Sequence, residues 1–185
     1  TLPYPVSANR YWQTRVIRKG SQSMAMTYVS AEAKAFKDLV GKLAKAAGAE
    51  LLLSIHLNYD ADSSVAGFEC YPATPQLATN ADSLRFAGLI AEKFAALGLD
   101  LRGADGIRYI HFDANDNRYI RESTDATPIA DPTFTIVQAC GCPAVLAEEG
   151  FISNTQDVAR IVSDAGCEAA AQAYYDCILA YLDLK

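Results

Sequence analysis

Of the two histidines in this chain of 185 residues, His56 sits in a stretch built to present it. In Leu51-Leu-Leu-Ser-Ile-His-Leu-Asn58 the apolar Leu51, Leu53, Ile55 and Leu57 alternate with Leu52, Ser54, His56 and Asn58. Period-two alternation rich in branched side chains predicts a strand whose second face turns polar toward its C-terminal end. In open α/β sheets ligands bind at that end, and an imidazole there can hold a metal or pass a proton. Glu148 is the second candidate. Pro143-Ala-Val-Leu-Ala147 is a buried-strand run that stops in Glu148-Glu149-Gly150. A carboxylate at that strand end can reach the crevice beside His56 and serve as general base and acid on a metal-bound water. Equally, two acids there can simply open a solvated turn.

Other chemistry-bearing residues are less ordered. His111 lies between Ile110 and Phe112 with Asp113 beside it, which suits an ordinary histidine in a variable insertion as well as a substitute ligand. Asp113-Ala-Asn-Asp-Asn117 reads as a loop. The five cysteines include no CxxC pair, and Cys140-Gly-Cys142 is one residue too tight for a zinc knuckle. They are expected to be buried or idle thiols in a reducing compartment.

The elements that must position these residues follow from periodicity and capping. Ser30 is a credible N-cap for a helix running to Gly48, with Ala33, Phe36, Val40, Leu43, Ala44 and Ala47 as its apolar stripe. After the His56 strand come a strand at residues 66–71 and a helix from a cap at Asn80 to Gly98. Residues 100–131 are the least regular part, with a strand at 108–112. Residues 134–138 and 143–147 are predicted as two strands joined around Gly141. Two helices, 155–163 and 167–182, end the chain. Strands alternating with helices predict a three-layer α/β/α domain with a mostly parallel or mixed central sheet.

Hydrophobic residues make up 51% of the chain, which is long enough for a sizeable core. No run approaches the about 18 apolar residues of a membrane span, and no signal peptide is seen. The formal charge of −6 is unevenly divided: residues 1–48 carry eight Lys/Arg against Glu32 and Asp38, and the remainder carries the acidic excess. Such a switch marks a boundary, so residues 1–48 are expected to be a basic segment packed on a main domain at 49–185.

Four ordered blocks carry a resemblance. Ser54-Ile-His-Leu-Asn58, Ala66-Gly-Phe-Glu-Cys-Tyr71, Leu101-Arg-Gly103 and Pro143-Ala-Val-Leu-Ala-Glu-Glu-Gly-Phe-Ile-Ser-Asn154 resemble successive blocks of the type 3 N-acetylmuramoyl-L-alanine amidases. The resemblance implies a zinc hydrolase with one ion, acting on peptidoglycan to cut the amide between the lactyl group of N-acetylmuramic acid and the first L-alanine of the peptide stem. By motif, His56 corresponds to a zinc ligand and Glu148 to the catalytic glutamate. Arg102, in the Arg-Gly position, and Asn58 are the substrate-binding candidates. The family's opening Gly-His-Gly type motif and the glutamate ligand after it have no counterpart in residues 1–49, so a complete three-ligand site is not expected from the matched blocks. By analogy with phage endolysins, the chain is expected to wait in the cytoplasm for release.

The opening segment resembles a different family. Leu2-Pro-Tyr-Pro-Val-Ser-Ala-Asn-Arg-Tyr-Trp12, with Thr27-Tyr-Val-Ser-Ala-Glu-Ala-Lys-Ala-Phe-Lys37, is similar to the start of the RusA-type Holliday-junction endonucleases. That likeness implies a nucleic-acid partner, with Arg10, Tyr11, Trp12 and Arg15 as contacts to phosphates and bases. A non-catalytic wall-binding relative is the third reading.

Overall fold

The computed structural model describes residues 12–17, 24–28 and 33–183. In chain order the elements are β1 (Trp12–Ile17), β2 (Met24–Tyr28), α1 (Ala33–Ala46), β3 (Leu51–Asn58), β4 (Glu69–Pro72) and α2 (Asn80–Ala96). They continue with β5 (Arg108–Phe112), β6 (Arg118–Glu122), α3 (Thr135–Ala139), β7 (Ala144–Phe151), α4 (Thr155–Ile161) and α5 (Asp164–Asp183). Among the described residues five strands form one sheet in the order β2-β1-β3-β7-β4, and β5 and β6 form a separate hairpin. Only β3 and β7 run parallel; β1 pairs antiparallel with β2 and β3, and β4 antiparallel with β7. The sheet is therefore mixed, with helices on both faces.

Strand alternation sorts the core into two layers. Leu51 and Leu53 of β3 and Val145 and Ala147 of β7 pack with Phe86, Ile90 and Phe94 of α2 and Tyr174, Cys177 and Tyr181 of α5. Leu52, Ala144, Leu146 and Tyr71 face the other way, onto Val40 and Ala44 of α1, Ile136 and Val137 of α3, and Ile110 of the hairpin. Because β3 is covered on both faces, its first three leucines are all buried, and each contributes roughly 1.5–3 kcal/mol of transfer free energy.

Several local expectations are corrected. Residues 134–138 do not form a strand: Thr135–Ala139 is a short helix, its approach held where Gln138 accepts the Thr133 N–H at 3.1 Å. The β-branched composition suggested a strand, but the turn buries Ile136 and Val137 against α1 and wins. Asn80 does not cap α2; the cap position is Thr79, and Asn80 donates instead to the Ala73 carbonyl and the Tyr109 hydroxyl. In α1 the buried side is Val40, Gly41 and Ala44, whereas Leu43 is exposed. A Cβ at Gly41 would come within 2.8 Å of Ala139 Cβ, so the missing side chain is what lets α1 approach α3. The strand ending in Glu148 runs on through Phe151, and Asp113–Asn117 is the turn of the β5–β6 hairpin. All five cysteines are free thiols, and only Cys167 is exposed.

Candidate active site

Sheet register brings distant residues into one row. His56 of β3 stands opposite Glu148 of β7, and Glu148 stands opposite Glu69 of β4. All three share the face that carries Leu52, Leu146 and Tyr71, as the two-residue alternation requires. His56 Nδ1 lies 3.8 Å from Glu148 Oε1, and His56 Nε2 lies 2.7 Å from Ser54 Oγ. The three residues of the row are buried. Just beyond His56 the β3–β7 register shifts, with Asn58 opposite Phe151. Strand alternation alone puts the two consecutive glutamates on opposite faces of the sheet. Glu148 faces His56, whereas Glu149 lies on the opposite face beside Tyr174 of α5. Burial pushes the Glu149 carboxyl up to about 7, and the neighbouring Tyr174 hydroxyl opposes part of that shift.

The end of the row is braced by Asp157 in α4. Its Oδ2 accepts the Phe151 N–H at 2.8 Å and the Gly67 N–H at 2.9 Å, tying the end of β7 to the residue that leads into β4. Asn154 caps the same helix by accepting from the Gln156 and Asp157 N–H groups. Gly67 has φ +102, and a Cβ there would meet the Asp100 carbonyl oxygen at 2.6 Å, so no other residue fits that position.

Glu69 lies inside the matched block 66–71, where the motif assigns it no role. It is 2% exposed, yet it accepts from Asn58 Nδ2 at 2.9 Å, Arg102 Nε at 3.2 Å and Arg108 Nη1 at 2.9 Å. Arg108 also donates to Glu122 at 3.1 Å. Arg102 bonds the Ala66 carbonyl and lies over the Phe151 ring at 4.8 Å, so its guanidinium is held by the protein's own groups. The alternating Glu-Cys-Tyr run of β4 was the available signal; what hid Glu69's role was the pairing of β4 with β7, a contact between distant parts of the chain.

Beside the row a cavity of about 250 Å³ is lined by Glu148, Asn58 and Tyr71 from the sheet, Phe134 before α3, and Ile110, Phe112, Asp116 and Arg118 from the hairpin. Burial, then the charge of Glu69, raises the Tyr71 phenol well above its ordinary range, so it keeps its proton at every working pH. The cavity thus offers a carboxylate, an amide and a protonated phenol against an aromatic wall.

Of the remaining candidates, Trp12 is opposite His56 and Arg15 opposite Leu53 in the β1–β3 pairing. Arg10 and Tyr11 lie outside the described residues. His111 is buried in the hairpin, stacked on Tyr119 at 5.3 Å with Nδ1 3.4 Å from the Asp131 carbonyl, and does not join the row.

A catalytic zinc site takes three protein ligands and keeps a fourth position open. Among the described residues no group of three or more His, Cys, Asp or Glu is placed to hold a metal. In the row itself, both His56 nitrogens face protein oxygens and Glu69 is held by two arginines and an asparagine. These donors do not fit the zinc set that the resemblance implies.

Comparison with known proteins agrees with this architecture. The N-acetylmuramoyl-L-alanine amidase family, Amidase_3, matches residues 13–180. The N-acetylmuramoyl-L-alanine amidase LytC of Bacillus subtilis (strain 168) is 31% identical over 170 residues, which cover 90% of this chain and 29% of LytC. The solved N-acetylmuramoyl-L-alanine amidase from Clostridium difficile 630 superposes with a TM-score of 0.61 at 20% identity, over 80% of this chain and 66% of that one. The catalytic domain of CwlV from Bacillus (Paenibacillus) polymyxa var. colistinus gives 0.56 at 28% identity, over 78% and 64%. The chain spans less than a third of LytC and less than two thirds of the CwlV domain. With the family match running across β1 to α5, the chain belongs to the N-acetylmuramoyl-L-alanine amidase family.

Proposed function

We propose that this chain acts on peptidoglycan, cutting the amide between N-acetylmuramic acid and the first L-alanine of the stem. The observation that carries the reading is the row in which Glu148, which lines the cavity, faces His56 at 3.8 Å. Glu148 takes a proton from the attacking water and delivers it to the leaving amine nitrogen. His56, with Ser54 behind it, fixes the side from which the carboxylate works, and Asn58 and the Tyr71 wall orient the stem. We read residues 49–185 as the catalytic unit and residues 1–48 as a basic segment, of which β1 extends the same sheet through β3.

The zinc ion expected of the family has no fitting ligand set among the described residues, so no step is routed through it. That shortfall favours a second reading, a wall-binding relative with little turnover. Purified cell walls separate the two. The hydrolase reading expects release of free L-alanine amines, a loss of about 10²–10⁴-fold in Glu148→Gln, and a metal content measurable per chain by elemental analysis. Retention on walls with no amine release supports the binding reading; neither retention nor release refutes both. For residues 1–48 the RusA-like reading expects salt-sensitive retardation of four-way junction DNA, and its absence removes that reading.

A further inference from the structure

We propose that the β5–β6 hairpin is a specificity element, with Arg118 as the anchor for a carboxylate on the stem residue that follows L-alanine. This rests on the peptidoglycan reading above and names the part of the substrate that the cavity selects.

Three observations converge. The cavity has two sources of wall: Glu148, Asn58 and Tyr71 come from the sheet, and Ile110, Phe112, Asp116 and Arg118 come from the hairpin. A stem whose first amide lies at Glu148 therefore meets the hairpin with its next residue. Between the two ends the lining is aromatic: Phe134 packs edge-on to Tyr71 at 5.6 Å and to Phe112 at 5.8 Å. That surface suits the methyl group of alanine.

The hairpin is also stiff where it matters. Asp113 Oδ1 accepts the Asn115 and Asn117 N–H groups at 2.8 Å each, and Oδ2 accepts from Asn117 Nδ2 at 3.1 Å. These bonds hold the Asp113 carboxyl below its ordinary range, so the turn stays stapled through neutral and mildly acidic pH. Arg118 follows the staple directly and pairs across the hairpin with Phe112, which fixes its backbone beside the cavity that it lines.

Charge supplies the third argument. Among the described residues no carboxylate pairs with the Arg118 guanidinium, whereas Arg102, Arg108 and Arg121 are each paired with an acid. Glu148 and Asp116 line the same cavity, so its field is mixed. A polyanion is repelled. A ligand with an amide or amine near Glu148 and a single carboxylate near Arg118 matches it, and a stem of alanine followed by an acidic residue has that pattern.

The test uses calorimetric titration of the full chain carrying Glu148→Gln, to prevent turnover, with two soluble ligands. Both are N-acetylmuramoyl-L-alanyl stems, one with a free α-carboxylate on the second residue and one with that group amidated. The carboxylate form is expected to bind about three- to tenfold more tightly, the range of a rim-exposed charge-assisted pair, with the preference shrinking as salt is raised. Arg118→Gln is expected to erase the preference and leave the amidated stem's affinity unchanged, its fold verified by circular dichroism. Equal binding of the two stems, or a preference that survives Arg118→Gln, overturns the role of Arg118 and leaves the wall reading standing. Failure of both stems to bind overturns the two together.

Discussion

Replacing Glu149 by Gln is expected to remove a pH-dependent weakness from the sheet–helix junction. Glu149 leaves the face of the site and meets Tyr174 of α5, where burial pushes its carboxyl up to about 7 from an ordinary value of 4.5. The folded chain therefore holds a proton that the unfolded chain releases. Stability from this group is fully present below about pH 4.5, falls as pH rises through the interval, and is gone above about pH 7. The rise from 4.5 to about 7, at about 1.36 kcal/mol per pH unit, corresponds to about 3 kcal/mol, and residual solvent contact reduces it to about 2–3 kcal/mol. Urea unfolding at pH 5, 6, 7 and 8 measures it. Parent and Glu149→Gln should be nearly equal at pH 5, and the variant should be more stable by that margin at pH 8. Taking the difference between the two curves cancels every other contribution that both proteins share. Parallel stability curves across the four pH values would refute the reasoning.

Glu69→Ala leaves Arg102 without its carboxylate and Arg108 with Glu122 alone, and should cost about 2–3 kcal/mol by urea midpoint, somewhat under the range for fully buried pairs because both arginines reach solvent. Asp157→Ala removes the acceptor of two backbone N–H groups, at Gly67 and Phe151, and should lower stability by about 2–4 kcal/mol in thermal melts. Thiol alkylation followed by intact mass should add one label rapidly, at exposed Cys167, while Cys70, Cys140, Cys142 and Cys177 react only after unfolding.

What could be read from the chain follows the reach of the interactions involved. The alternation of Leu51–Asn58 is a local pattern and β3 has those bounds; the final helix, expected at 167–182, runs a little longer, over Asp164–Asp183. β6 escaped because Arg-Tyr-Ile-Arg-Glu has no fully buried residue and, among the described residues, pairs with β5 alone, so no buried face marks it. Residues 134–138 misled because tertiary packing on α1 outweighed β-branched composition. The juxtaposition of His56 and Glu148 was expected from their positions at strand ends, but the place of Glu69 beside them depends on the antiparallel register of β4, which no local pattern encodes. Arg102 illustrates the same limit: its position was legible as a motif, its partner was not.

The parallel pairing of β3 with β7 has a consequence for how the chain is made. β3 is complete at Asn58, and the strand it needs begins at Ala144. During synthesis an apolar strand led by three leucines must wait until the chain has been made through Ala144 and beyond, with one of its edges lacking its native partner. Long-range parallel pairing is slow to close and leaves such edges open to association. The nascent protein is thus most vulnerable between these two strands. The same delay means that no N-terminal fragment ending before β7 carries the His56–Glu148 pair, so whatever chemistry that pair performs is withheld until β7 has been made.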